Sequence, residues 1–187
     1  MNVLEGLISY QIVVFTSAHT VVGELSLKDK RLSDHVNERV DSTLVLRNVT
    51  ISRLEEPAKS LYKLPVAVIP KTAIVLVFEP PQQAIPPSNR FFGYTEKVKN
   101  DVFLVMDGME VRGNLHTQGS LDFRRVLASS PDAFLPITQA TVMMEANRSL
   151  VIRQDAILVN SQRIRFFGQF QPSSATQPRN TQPPPPL

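Results

Sequence analysis

Asp107-Gly108-Met109-Glu110-Val111-Arg112-Gly113-Asn114-Leu115 is the stretch on which the reading of the whole chain turns. Asp-Gly between two apolar runs is a hairpin signal, because a tight two-residue turn needs a residue that tolerates positive φ. Val102 to Met106 therefore reads as one strand and Met109 to Thr117 as its partner. A similar pattern stands about 90 residues earlier: Val21-Val22-Gly23-Glu24-Leu25 lies over Val111-Arg112-Gly113-Asn114-Leu115, alike in pattern though few positions across the halves are identical.

Working outward, the two halves of the chain keep the same order. In the first, Leu7 to Leu27 is strand-like with a break at Ser17-Ala18-His19. Thr20 to Leu27 alternates, with Val21, Gly23, Leu25 and Leu27 on one side. Leu32, Val36 and Val40 have the four-residue spacing of a short helix. Thr43 to Ser52 alternates with a phase change near Asn48, and Leu61 to Ile69 and Ala73 to Phe78 are further strands around a Pro70-Lys71-Thr72 turn. In the second half, Ser120 can cap a short helix that carries Phe123, Val126 and Leu127 on one face. Phe134 to Met144, Leu150 to Leu158 and Arg163 to Phe167 complete the set, the last two joined by a turn at Asn160-Ser161. Leu44-Val45-Leu46 lies over Leu135-Pro136-Ile137, and Ile74 over Ile164. Agreement in order and spacing is the signature of an internal repeat.

The expected fold class is mainly β with short helices: two tandem small barrel-like units of about five strands and one short helix each. The expected boundaries are 1–79 for the first unit, 80–100 for a proline-rich linker, 101–168 for the second unit, and 169–187 for a disordered Pro/Gln-rich tail. The chain has 15 prolines against 7 glycines, and their clustering near 80–87 and 172–186 is what sets linker and tail apart. A curled sheet of five strands exposes its edges unless it closes or pairs with its twin, so a side-by-side pseudo-dimer is expected.

The first hairpin, from Asp107-Gly108 through Gly113 to Leu115, resembles the opening of Sm-like and other SH3-like barrel domains. In those barrels a second glycine lets a strand bend sharply, a role the resemblance implies for Gly23 and Gly113. The chain departs from the family where its RNA-binding residues lie. A presumed helix follows the second strand, and Pro70-Lys71 and Asn160-Ser161 stand where an Arg-Gly pair is expected. The RNA-binding function is therefore not carried over. The unit is also similar to uncharacterised bacterial domains with a Gly-x-Leu strand, a Leu-Ser-Asp helix and a closing Ile-Val-Leu-Val strand.

Reaction chemistry is hard to find. His19, His35 and His116 have no metal-ligand spacing, and there is no cysteine to complete a zinc site. Ser33-Asp34-His35 holds the residue types of a hydrolase triad, but neighbours on a helix point apart and cannot form the hydrogen-bonded chain. Glu55-Glu56 before Pro57 reads as a solvated loop. No nucleophile elbow, phosphate loop or dinucleotide fingerprint occurs. No catalytic residue, cofactor or metal is expected.

The net charge of +3 invites a nucleic-acid reading. Residues 1–79 hold nine Lys or Arg and nine Asp or Glu, and residues 101–168 hold seven of each, so both units are neutral. Affinity for nucleic acid needs clustered cations. Folding would have to gather Arg124, Arg125, Arg163 and Arg165 into a patch for the alternative, an Sm-like nucleic-acid binder. Phe91, Phe92 and Tyr94, aromatics in the linker, are costly to expose and are the expected partner-binding residues, either docking in cis or gripping another protein. The Pro183 to Pro186 run can adopt a polyproline helix.

No apolar run reaches the roughly 18–20 residues of a membrane span. Met1 to Phe15 lacks a basic start and carries Glu5, so it is read as a strand rather than a signal peptide. The sequence reading is thus a cytoplasmic, bacterial, non-catalytic interaction or scaffold protein that binds a protein partner or self-associates. A small-molecule sensor or enzyme with its pocket between the units is the third possibility.

Overall fold

Val, Ile, Leu and Phe at every second position make strands here because the inner strands bury one side or both. The computed structural model describes residues 8–28, 30–81, 97–128 and 133–170. The first half forms β1 (Ile8–Phe15), β2 (His19–Leu27), helix α1 (Leu32–Asn37), β3 (Thr43–Arg53), β4 (Glu56–Pro70), a 3-10 turn (Lys71–Ala73) and β5 (Leu76–Phe78). The second forms β6 (Val98–Met106), β7 (Met109–Thr117), α2 (Phe123–Ala128), β8 (Phe134–Met144), β9 (Val151–Asn160), a 3-10 turn (Ser161–Arg163) and β10 (Ile164–Gln169). The chain is mainly β, as its alternation predicts.

Closure is where the expectation and the fold part. All ten strands join one open antiparallel sheet in the order β10-β6-β7-β8-β9-β5-β1-β2-β3-β4, not two sheets each closed on itself. The physical reason lies in β5. Its three residues pair with β1 on one side, and Leu76 and Val77 pair with β9, not β4, on the other. β4 and β10 are left as the outer edges.

The register of the second set follows the first at an offset of 90 or 91 residues. Val14 faces Val21 as Leu104 faces Val111, and Val14 faces Val77 as Leu104 faces Phe167. Leu44 faces Ile69 as Leu135 faces Val159. Both β2–β3 and β7–β8 carry a register shift at the glycine, between Val22 and Glu24 and between Arg112 and Asn114. Opposite these shifts stand Asn48 at φ 49° and Gln139 at φ 50°, the two non-glycine residues with positive φ among the described residues. The phase change expected near Asn48 is this bulge. Glycine is required because a side chain would strike the facing strand: a Cβ on Gly113 would lie 2.6 Å from Ile137 Cγ2 and 2.8 Å from the Thr138 carbonyl oxygen. On Gly23 the matching contacts are 3.1 Å, to Leu46 Cβ and the Arg47 carbonyl oxygen.

Two apolar cores result. One gathers Ile12, Val14, Val21, Leu25, Leu44, Leu46, Val49 and Ile74 with α1 residues Leu32 and Val36. The other gathers the matching Val102, Leu104, Val111, Leu115, Leu135, Ile137 and Ala140, with Ile164 packed against it. Each core also receives side chains from the other half. Phe15, Leu76 and Phe78 join the second core, while Phe134 and Leu158 join the first.

The helices are shorter than their apolar spacing suggests. α1 stops at Asn37, and Val40 is 96% exposed. α2 is capped by Asp122, whose Oδ1 accepts from the Arg125 amide at 3.1 Å, rather than by Ser120. Of its expected apolar face, Val126 packs on the second core and Phe123 meets Phe167 edge-on at 4.9 Å, but Leu127 is exposed. Among the described residues no helix is long and apolar enough to cross a membrane.

Candidate interaction site at the sheet edges

β4 is the longest strand, and its free side exposes what a lone edge strand would normally hide. Tyr62, Leu64, Val66 and Val68 are all exposed along it; the register sets Tyr62 and Leu64 beside Ile51 and Val49, and Val66 and Val68 beside Arg47 and Val45 on the opposite face. Pro57, Pro65 and Pro70 are tolerated because an edge strand needs its amides on one side only. Pro65 and Pro70 bracket Val66-Ala67-Val68-Ile69, which is the proline-free segment nearest the core. An exposed apolar edge of this kind is a template for another strand.

At the opposite edge, β10 presents aromatics. Phe166 is exposed and meets Phe103 at 6.4 Å between ring centres, while Phe103 meets Phe170 at 6.2 Å. The Arg112 guanidinium lies 4.2 Å from the centre of the Phe170 ring. Gly168 leaves room for this cluster, since a Cβ there would come within 3.1 Å of the Phe166 ring.

The two sets of strands are held together by a polar pin as well as by β5 and β9. The Asn37 side chain acts as a strand backbone would: Nδ2 donates to the Phe134 carbonyl at 3.1 Å, and Oδ1 accepts from the Phe134 amide at 2.8 Å. Buried Asn160 donates from Nδ2 to the carbonyls of Lys71 at 3.3 Å and Ile74 at 2.9 Å. The buried Lys71 ammonium donates to the carbonyls of His35 at 2.9 Å and Glu38 at 2.8 Å, closing the end of α1. Burial pushes the Lys71 pKa below the ordinary lysine range. Beside these residues lies a cleft of about 250 Å³, lined in part by Val36, Asp41, Lys71, Phe134 and Gln162. Its cation is already committed to two carbonyls. A hydrogen bond from Lys30 holds Glu38 below the usual carboxylate range, and the His35 ring lies 3.3 Å from the same carboxylate.

The residues singled out in the sequence are dispersed. Phe91, Phe92 and Tyr94 lie outside the described residues. Arg124 and Arg125 sit exposed on α2. Arg163 and Arg165 both grip Asp107, at 3.2 Å and 2.8 Å, and Arg163 also donates to the Thr72 carbonyl. Their charge is spent on one carboxylate and on joining β10 to the hairpin turn of β6 and β7. His19 is exposed, and His116 Nε2 lies 2.9 Å from Thr138 Oγ1. His35 turns to Glu38, away from Ser33 and Asp34, so the apparent triad does not assemble. Among the described residues no three His, Asp or Glu side chains gather as a metal site. The exposed edge of β4 was legible only as a strand, because alternation does not say which strand lies at an edge.

Glu79 follows β5 at the junction, and burial raises its pKa above the ordinary 4.5. The folded chain then binds the Glu79 proton more tightly than the unfolded chain does, so this group opposes folding progressively as pH rises above 4.5. Glu79→Gln is expected to be indistinguishable from the parent below that pH and more stable than it at neutral pH. Urea unfolding at the two pH values would show it; equal midpoints at neutral pH would refute the assignment.

Together these features define a mainly β chain whose described residues build one open antiparallel sheet with two unlike edges, β4 and β10. No protein-family model, curated protein or solved structure matches the chain.

Proposed function

We propose that this chain is a non-catalytic interaction or scaffold protein, built from a tandem repeat of a small barrel-like β unit, that associates with protein through the open edges of its sheet and in the first place with itself. The observation that carries this reading is the exposure of four large apolar side chains, Tyr62, Leu64, Val66 and Val68, on edge strand β4. Leaving such an edge unpaired invites strand addition, which main-chain hydrogen bonds drive and side-chain pockets make specific. The repeat is supported by the common register and by the matched bulges at Gly23 and Gly113. The likeness of each unit to Sm-like and other SH3-like barrels rests on those bent glycine strands and brings no RNA-binding residues with it.

The test is size-exclusion chromatography with light scattering at low salt, over a range of concentrations, with and without RNA. A defined assembly larger than the 20.9 kDa chain and indifferent to RNA is expected. A chain that stays monomeric throughout would overturn self-association. An RNA-dependent shift abolished by salt would overturn the reading in favour of a nucleic-acid binder.

A further inference from the structure

The junction inside the chain shows what the two free edges lack. At the junction, β9 of the second set pairs with β5 of the first: Leu76 faces Val159 and Val77 faces Leu158. Shifting by 90 residues, β9 corresponds to β4, and β5 corresponds to β10. Among the described residues, the outer edges are therefore the same two kinds of strand that already meet in the middle, each without its mate.

Exposure supports this position by position. Two junction residues reach across into the core of the other half: Leu76 enters the second core and Leu158 enters the first, and they are 0% and 8% exposed. Their counterparts at the free edges are Phe166 and Val68, which are 55% and 60% exposed. By contrast, Val77 and Val159 stay in their own half's core, and their counterparts Phe167 and Ile69 are already packed there. At these four positions, the two side chains that stand in water are the two whose counterparts enter the other half's core. The pattern extends further: Val13 and Phe15 accompany Leu76 onto the second core, and their counterparts Phe103 and Val105 flank the aromatic cluster at β10.

We infer that copies of this chain associate head to tail, β10 of one pairing antiparallel with β4 of the next in the register of the internal junction. Phe166 then faces Ile69, and Phe167 faces Val68. Phe166 and Val68 each become buried in the neighbour's core. The contact is heterologous, so it propagates from copy to copy until a ring closes or a filament grows. This inference rests on the proposed self-association and adds its partner, polarity and register.

The direction of pairing can be tested by complementation. Val68→Asp disables the β4 edge and Phe166→Asp disables the β10 edge, both at positions exposed in the free chain. Each variant alone is expected to be monomeric in light scattering. A mixture of the two is expected to give a one-to-one dimer of 20.9 kDa chains, because one intact β10 meets one intact β4. As a second readout, the chain has no cysteine. Oxidising a mixture of Val68→Cys and Phe167→Cys chains should give a disulfide-linked pair, while neither oxidised alone should, since directly opposed strand residues lie within disulfide reach.

Loss of assembly in Val68→Asp with none in Phe166→Asp would mean that β4 pairs with β4, and would overturn the polarity. Persistence of assembly in both variants would place the contact elsewhere, overturning this inference while leaving self-association standing. A wild-type chain that is monomeric would sink both.

Discussion

Leu76→Ala is expected to lower the stability of the chain by about 3–4 kcal/mol, the usual cost of deleting a fully enclosed leucine when the cavity cannot collapse. Leu76 is completely buried, yet it belongs to a strand of only three residues. β5 has little hydrogen bonding to hold it, so its place between β1 and β9 depends on what its side chains fill. Leu76 fills the core of the other half, among residues such as Val102, Leu135 and Val159. Truncation thus opens a cavity at the seam rather than within one set of strands. The paired comparison is Phe166→Ala, at the corresponding position of β10, which should cost the dilute chain less than about 1 kcal/mol because that ring is exposed. Urea unfolding of the two variants at low concentration measures the contrast. Equal losses would show that the two positions are not the filled and unfilled versions of one site.

Gly113→Ala is expected to be nearly as damaging, at about 3 kcal/mol, and distinctly worse than Gly23→Ala. At Gly113 the added methyl meets Ile137 Cγ2 at 2.6 Å and the Thr138 carbonyl oxygen at 2.8 Å; one of these is backbone and cannot turn aside. At Gly23 the neighbours Arg47 carbonyl oxygen, Leu46 Cβ and Val49 Cγ2 all stand at 3.1 Å and need give by only a few tenths of an ångström. Backbone strain is not the issue, because neither glycine has a positive φ. The cost comes from close approach of two strands at the bulge. Thermal unfolding of the two alanine variants ranks them directly, and a reversed order would show that the strands at Gly113 part more easily than their spacing implies.

Much of this architecture was legible in the chain. Alternation placed β2, β3, β7 and β8, because a strand with one face in a core must repeat every second residue. Met109–Thr117 and Phe134–Met144 begin and end where their apolar pattern does. Asp107-Gly108 announced its turn, and Gly108 takes the positive φ of 74° that the turn demands. Helix length was less well specified. Leu32, Val36 and Val40 are spaced as one face, but only the first two find a core to enter. Periodicity records compatibility with a helix; packing decides how far it continues.

By itself the sequence determined most of the strands and the order of elements in each half, since these follow from local patterns of side-chain size and polarity, while the bending role of Gly23 and Gly113 came from the resemblance to Sm-like and SH3-like barrels. It could not determine that β5 would turn outward to β9 instead of closing on β4, or that Arg163 and Arg165 would both be drawn to Asp107. Nor could it distinguish Val68, left in water, from Leu158, its buried counterpart. Those outcomes depend on which strand lies alongside which. Only the tertiary structure decides that, because hydrogen bonding across strands and burial between cores join residues far apart in the chain.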